Sequence, residues 1–464
     1  MSQPRIPLAC TWVLCVLSAV AQAQDKSVAP SADTQLAAPQ QQEPEGTPPL
    51  PGPAPSRAIR PMQTVQSAET GTKPFEVGSF LFYPEIVANW MYDSNVFYTN
   101  RAIGDHAMVF SPAFWLQSNW TQHALNFYAS SDITQYANYS TENTADWRAS
   151  VEGRYDLNAD TNVYGGYRRG KEHQDRESPD NRNGIKPTIY YLDRAYAGFF
   201  KQIDRFSVRI GGTWLHLNYD DVAFLPGSGS GIPRLINNDD RDRSQYTGGI
   251  RLGYELSPRV EPYVQIALDN RRYTYTPDDN GYYRNSDGMR YLAGVRWNLP
   301  KKLKLDAFAG YMSQKYTDPR LQPVSTPAFG AALLWAPITD LKISGYLDRT
   351  IEETTLAQTV DPTAVPPTTI AASSYTNTYA SLGANYRLTG RLVVQGNISY
   401  SQAKYNGMPR TDDYYGFGGG LVYQVDKSVY VDISYAYRNL HSSVPTENFI
   451  KRQTFIGLAF PLSM

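Results

Sequence analysis

Residues 259–270, RVEPYVQIALDN, alternate strictly: Val260, Pro262, Val264, Ile266 and Leu268 take every second position, while Arg259, Glu261, Gln265 and Asp269 fill gaps between them. Side chains of an extended strand point alternately to opposite faces, so the segment has one apolar and one charged face. The pattern recurs along the chain. Trp147, Ala149, Val151 and Tyr155 alternate with Arg148, Ser150, Glu152 and Arg154, and Leu303, Leu305, Ala307 and Ala309 with Lys304 and Asp306. Leu392, Val394 and Ile398 alternate with Arg391, Gln395 and Asn397, and Val429, Val431, Ile433 and Tyr435 with Tyr430, Asp432 and Ser434. Such runs outlast the ~5–6 residues usual in soluble strands. They match the ~9–11 that a tilted strand needs to cross a bilayer.

The connections fall into two classes. Tight turns at Thr121, Asn158, Ile203, Ser257, Pro300, Ile338, Thr389 and Val425 interleave with longer polar loops, among them EHQDRESPDNRNGIKP and TPDDNGYYRNS. Shorter members of the second class lie near Tyr139, Thr317, Asn406 and Ser443. This alternation predicts about 18 antiparallel strands joined as consecutive hairpins, an all-β, up-and-down transmembrane barrel with short turns at one rim and long loops at the other. Closure pairs every backbone group between neighbours, as hydrocarbon requires. Val260, Val264, Ile266 and Leu268 then face lipid. Glu261, Gln265, Asp269 and Arg271 face a watery interior, and Pro262 belongs near the turn at Ser257. A soluble β-propeller or β-sandwich would also alternate, but with shorter strands and, for a propeller, repeats that this sequence lacks.

Composition fits the barrel. The 464 residues include 35 Tyr and 34 Gly, mean hydropathy is −0.46, and no apolar run beyond the N-terminus is long enough for a membrane helix. With 43 basic against 44 acidic residues the net charge is −1, so no global field draws in nucleic acid. Residues 1–23 read as a signal peptide: Arg5 precedes an apolar core, and Ala21–Ala23 offers small residues for cleavage. Both cysteines, Cys10 and Cys15, fall inside it, which leaves the exported chain without thiol chemistry or disulfides. Residues 24–74, rich in Pro and Gln, have the composition of a disordered periplasmic tether, a spacer or a docking peptide. Residues 75–464 form the barrel.

Two local patterns bear on export and family. In FIGLAFPL, the order Gly457, Phe460, Leu462 resembles the C-terminal signal read by the barrel assembly machinery, although Ser463 and Met464 stand in place of a terminal aromatic. Near the start, Gly78 and Pro84 precede Tyr92, Asp93, Ser94, Asn95, Val96 and Phe97. This stretch resembles the opening of the β-barrel porin type 2 family of Gram-negative outer membranes. The resemblance extends over residues 75–464 in layout. It implies an outer-membrane barrel surrounded by lipid and lipopolysaccharide, and in many relatives an association with exopolysaccharide or capsule export and its periplasmic components.

On the polar face the sequence places Arg148, Glu152, Arg154, Arg168, Arg205, Arg209, Arg251, Glu255, Glu261, Asp269, Arg271, Arg290, Arg296, Asp306, Arg387, Arg391, Asp432 and Arg438 as candidate pore-lining residues. Arginine leads modestly, so the lumen would favour anions or acidic sugars. Alternatively these charges pair across strands and brace the wall. A barrel of this size holds an aqueous channel unless loops fill it. The glycine-rich loop from Val222 to Asp242 is the candidate constriction, with shielding of the outer rim as its other reading. The tyrosines, including Tyr273, Tyr275, Tyr282 and Tyr283, suit interfacial girdles or a sugar path.

Catalysis finds little footing. His106, His123, His173, His216 and His441 are scattered with no HExxH or GxSxG, and PDDNG at Pro277–Gly281 has turn chemistry without a full calcium ligand set. The expectation is therefore a non-enzymatic channel with no cofactor and no metal, possible conduit for a secreted polysaccharide in line with the family. A non-conducting adhesion barrel and an outer-membrane hydrolase are the alternatives.

Overall fold

The computed structural model describes residues 74–180, 184–224, 234–299, 302–361, 363 and 368–461. The expected signal peptide, nearly all of the tether and Leu462–Met464 lie outside the described residues. Eighteen antiparallel strands, each following its predecessor around the ring, close into a barrel. They run from Phe80–Asp93 to Phe449–Pro461. Val260–Tyr273 is typical at 14 residues and Arg243–Tyr254, at 12, is among the shortest.

Closure joins the first long strand to the last, from Glu85↔Pro461 to Asp93↔Gln453. Below that, the short strand Phe75–Val77 folds back on Phe80–Phe82 and continues the row. The Tyr92–Phe97 stretch clasps this seam. Lys451 Nζ lies 2.6 Å from Asp93 Oδ2, Tyr136 OH donates to the same oxygen at 3.0 Å, and Asn95 Nδ2 donates to Ile450 O at 3.0 Å. Asp93 and Asn95 are fully buried, and a buried carboxylate holds only when paired and hydrogen-bonded.

The faces alternate as expected. Val264, Ile266 and Leu268 are 55%, 46% and 48% exposed on the outer face, whereas Gln265 and Arg271 are 2% exposed inside. Pro262, paired with Val295, is the third residue of its strand, next to the turn. Exposed aromatics ring the outer face near both rims: Trp297, Trp335, Tyr386 and Tyr423 toward the tight turns, Trp90, Tyr246, Tyr311 and Tyr415 toward the loops. Inside, tyrosine and glycine are complementary. A Cβ at Gly198 would overlap the Tyr164 ring and one at Gly294 the Tyr263 ring, so each glycine is the floor on which a neighbouring strand's ring lies flat.

Candidate functional site

Residues directly opposite across a ladder share a face, so the register fixes the lumen. Gln265 faces Arg251, which faces Arg209 on its other side. Arg168 faces Arg194, Arg290 lies between Ala267 and Met312, and Arg296 faces Asp306. The same parity puts Arg148, Glu152, Arg154, Glu261, Asp269, Arg271, Arg387, Asp432 and Arg438 on the inner face. Arg205, Glu255 and Arg391 are corrections: they sit in the tight turns beyond the strand ends, because the alternating pattern carries on past the last ladder pair.

Many inner charges do brace the wall. Arg148 Nη2 lies 2.6 Å from Asp132, Arg296 3.0 Å from Glu261, Arg168 2.6 Å from Glu172 and Arg154 2.9 Å from Asp156. Arg251 donates to Gln265 Oε1 at 2.8 Å and lies 3.5 Å from Asp306. The charges are unevenly shared around the ring. The strands from Thr161–His173 to Ser286–Leu299 carry Arg168, Arg194, Arg209, Arg243, Arg251, Arg271, Arg290 and Arg296 inward against Glu172, Glu261 and Asp269. The facing strands, from Ser374–Arg387 around to Ala124–Tyr136, carry Arg387, Arg438 and Lys451 against Glu85, Asp93, Asp105, Asp132, Asp412 and Asp432. One wall is basic and the other acidic.

At the loop rim, described residues cross the lumen. The loop between Thr161–His173 and Ile189–Ile203 reaches across the mouth. Arg176 forms a fork with Glu142 (2.5 and 2.8 Å), Glu177 accepts from Arg438 Nη1 at 2.7 Å, and Asp180 accepts from Thr354 Oγ1 at 2.6 Å and Thr355 N at 3.0 Å. Thr354 and Thr355 follow Leu341–Glu353, near the opposite side of the ring. There Arg284, 1% exposed, pairs with Asp278 and donates to the carbonyls of Thr354 (2.7 Å) and Ala372 (2.9 Å). Glu353 accepts from Arg271 and from Tyr273 OH. Two inward structures thus meet at Asp180.

The glycine-rich loop from Val222 to Asp242, the expected constriction, is described at its two ends. Val222–Phe224 pairs with Arg234–Ile236 in a short hairpin at the rim. Its Ala223 carbonyl accepts from Ile185 N at 2.8 Å, and residues 225–233 lie outside the described residues. Among the described residues the crossing contacts belong to the loop at 174–188, whose charges set it apart from the glycine-rich loop. Tyr273 and Tyr282, 7% and 9% exposed, pack inside the mouth, whereas Tyr275 and Tyr283 remain exposed. Asp242, at the rim, accepts from Tyr219 N and Asn218 Nδ2, both at 2.7 Å. Burial pushes its carboxyl up to about 6, with the Asp239 charge adding to the rise.

A closed antiparallel barrel with an apolar, aromatic-girdled exterior and a charged interior defines the class of porin-like β-barrels. The chain belongs to the family described as Putative beta-barrel porin 2, whose pattern matches residues 70–461. No curated protein matches the sequence. The chain has some similarity to solved structures. OpdL of Pseudomonas aeruginosa is 11% identical, over 83% of this chain and 100% of its own, with a TM-score of 0.39. OccAB4 of Acinetobacter baumannii is 10% identical, over 82% and 98%, at 0.40. The siderophore receptor PirA of Acinetobacter baumannii is 7% identical, over 82% and 80%, at 0.43.

Proposed function

We propose that this porin-like barrel is an outer-membrane channel of a Gram-negative bacterium that passes anionic solutes along its basic wall. The observation that carries the reading is the pairing of arginines in register, Arg168 with Arg194 and Arg209 with Arg251, on the inner face of adjacent strands. Like charges directly opposite one another destabilise a sheet, and the bonds of Arg168 to Glu172 and of Arg251 to Asp306 do not by themselves account for setting arginine opposite arginine. A passing anion does, because each guanidinium presents fixed donors to carboxylate, sulfate or phosphate.

Export of a polysaccharide, with which the family resemblance implies an association in many relatives, would draw on the same arginines if the polymer is acidic. No residue of this chain singles it out from the passage of smaller anions. Purified protein in planar bilayers under a KCl gradient tests the reading. Wild type should give an anion-selective reversal potential, and Arg209→Glu with Arg251→Glu should move it toward cations by about tenfold in permeability ratio. A barrel that never conducts would favour the adhesion reading instead.

A further inference from the structure

Most neighbouring strands pair over their full length, but the ladder between Val324–Ile338 and Leu341–Glu353 stops at Gly330↔Asp348. Beyond that point each strand keeps its other neighbour: Val324 and Thr326 still face Gln314 and Met312, and Arg349 and Glu353 still face Thr378 and Ser374. Val324–Phe329 and Arg349–Glu353 therefore turn edges without ladder partners toward the same gap. Pro327, which has no N–H to give a ladder, lies in that stretch, where a proline is tolerated.

Side-chain parity shows where the loose end has gone. Ile343 faces Trp335 on the outer surface, and Leu347, Arg349, Ile351 and Glu353 continue that row. Yet Ile351 is 4% exposed and clusters with Leu292, Met312 and Tyr316, all three inner-face residues of Ser286–Leu299 and Leu303–Tyr316. The Glu353 side chain, 3% exposed, is held by Arg271 and by Tyr273 OH at 2.5 Å. Arg271 Nη2 also donates to Ile351 O at 2.9 Å. The outer face of this strand end thus lies on the inner face of its neighbours. The wall has rolled in on itself, and the roll delivers Thr354 and Thr355 to Asp180.

We propose that this rolled-in end, Arg349–Glu353, is the gate of the pore, an inference that rests on the channel reading. In the closed state Glu353 is clamped by Arg271 and Tyr273. Opening swings the end outward and zips it onto Val324–Phe329 in the register already set below, so that Glu353 comes opposite Ser325. The exchange trades a few charge-assisted bonds for a run of ladder bonds, each individually about half as strong, which lets two discrete arrangements lie close in free energy. The outward swing withdraws Thr354 and Thr355 from Asp180 and opens that side of the mouth, while Arg176 and Glu177 keep their hold on Glu142 and Arg438.

The test uses the whole protein in planar bilayers, with folding checked by the shift in gel mobility between unheated and boiled samples. Glu353→Cys alone removes the clamp and should raise the open fraction about tenfold or more. Adding Ser325→Cys should allow a disulfide under oxidation, holding the pore open until reductant is added. The two positions cannot meet while the end is rolled in, because Glu353 lies against Arg271 and Ser325 faces outward. Failure of the disulfide to form in the folded double variant overturns the gate. Equal current from wild type and both variants overturns the gate and leaves the channel standing. A disulfide that forms in a barrel still passing no current removes the channel reading, and the gate falls with it.

Discussion

The two ends of this barrel use the same strands differently. Toward the loops, inner-face charges are packed away: Arg271 is 2% exposed, and Asp93 and Asp412 are fully buried. Toward the tight turns burial is mixed: Glu85 and Arg251 are buried, but the Arg154 side chain is 52% exposed and Arg387 is exposed. A charge in water costs little to leave alone, whereas a charge out of water must be matched by partners of fixed geometry. The loop end is thus a folded core built from ions, whereas the turn end leaves charges such as Arg154 and Arg387 in water.

The contrast sets a ranking of mutational effects. Arg271→Met strands the Glu353 and Asp269 carboxylates at the loop end, and should cost about 3–5 kcal/mol, read as a lower midpoint of denaturant unfolding in detergent. A loss near zero would mean that water reaches this pair, and that the loop end is no drier than the turn end. Asp412→Asn comes next, at about 1–3 kcal/mol, since Asp412 accepts from Arg410 Nε at 3.0 Å, Tyr405 OH at 3.0 Å and Ser442 OH at 2.6 Å.

Asp242 tests the rim by pH. Its folded pKa is raised, to about 6, so the folded state binds the proton more tightly than the unfolded state does. The stabilisation is complete below the unfolded value near ~3.9 and is lost as pH rises through the folded value. Amide exchange at Tyr219, corrected for intrinsic rate, should therefore speed up between about pH 4 and pH 6 and level off above, and Asp242→Asn should flatten that trend. Arg154→Ala at the turn end should have the smallest effect, under about 0.5 kcal/mol on unfolding. A larger loss there would erase the distinction between the two ends.

Much of the architecture was legible from residue order. Alternation at Val264, Ile266 and Leu268 and the spacing of turns at Ser257 and Thr389 gave strand number, hairpin order and the outward face, because a period of two and a tight turn are local properties. The mouth was less legible. Glu353 and Asp180 depend on partners 82 and 174 positions away, and no local pattern ranks one polar loop above another. One signal was present: Arg349 and Glu353 interrupt the apolar row of Leu341, Ile343 and Leu347 toward the loop rim.

The amino-acid order by itself determined a closed two-faced sheet, since alternate residues must go to opposite sides and the bilayer leaves no backbone group unpaired. Only the tertiary structure decided that the sheet stops pairing at Gly330 and Asp348, turns its outer face inward and reaches into the mouth. That choice is a competition between ladder bonds and buried ion pairs drawn from remote strands, and its winner emerges only when all of them share one space.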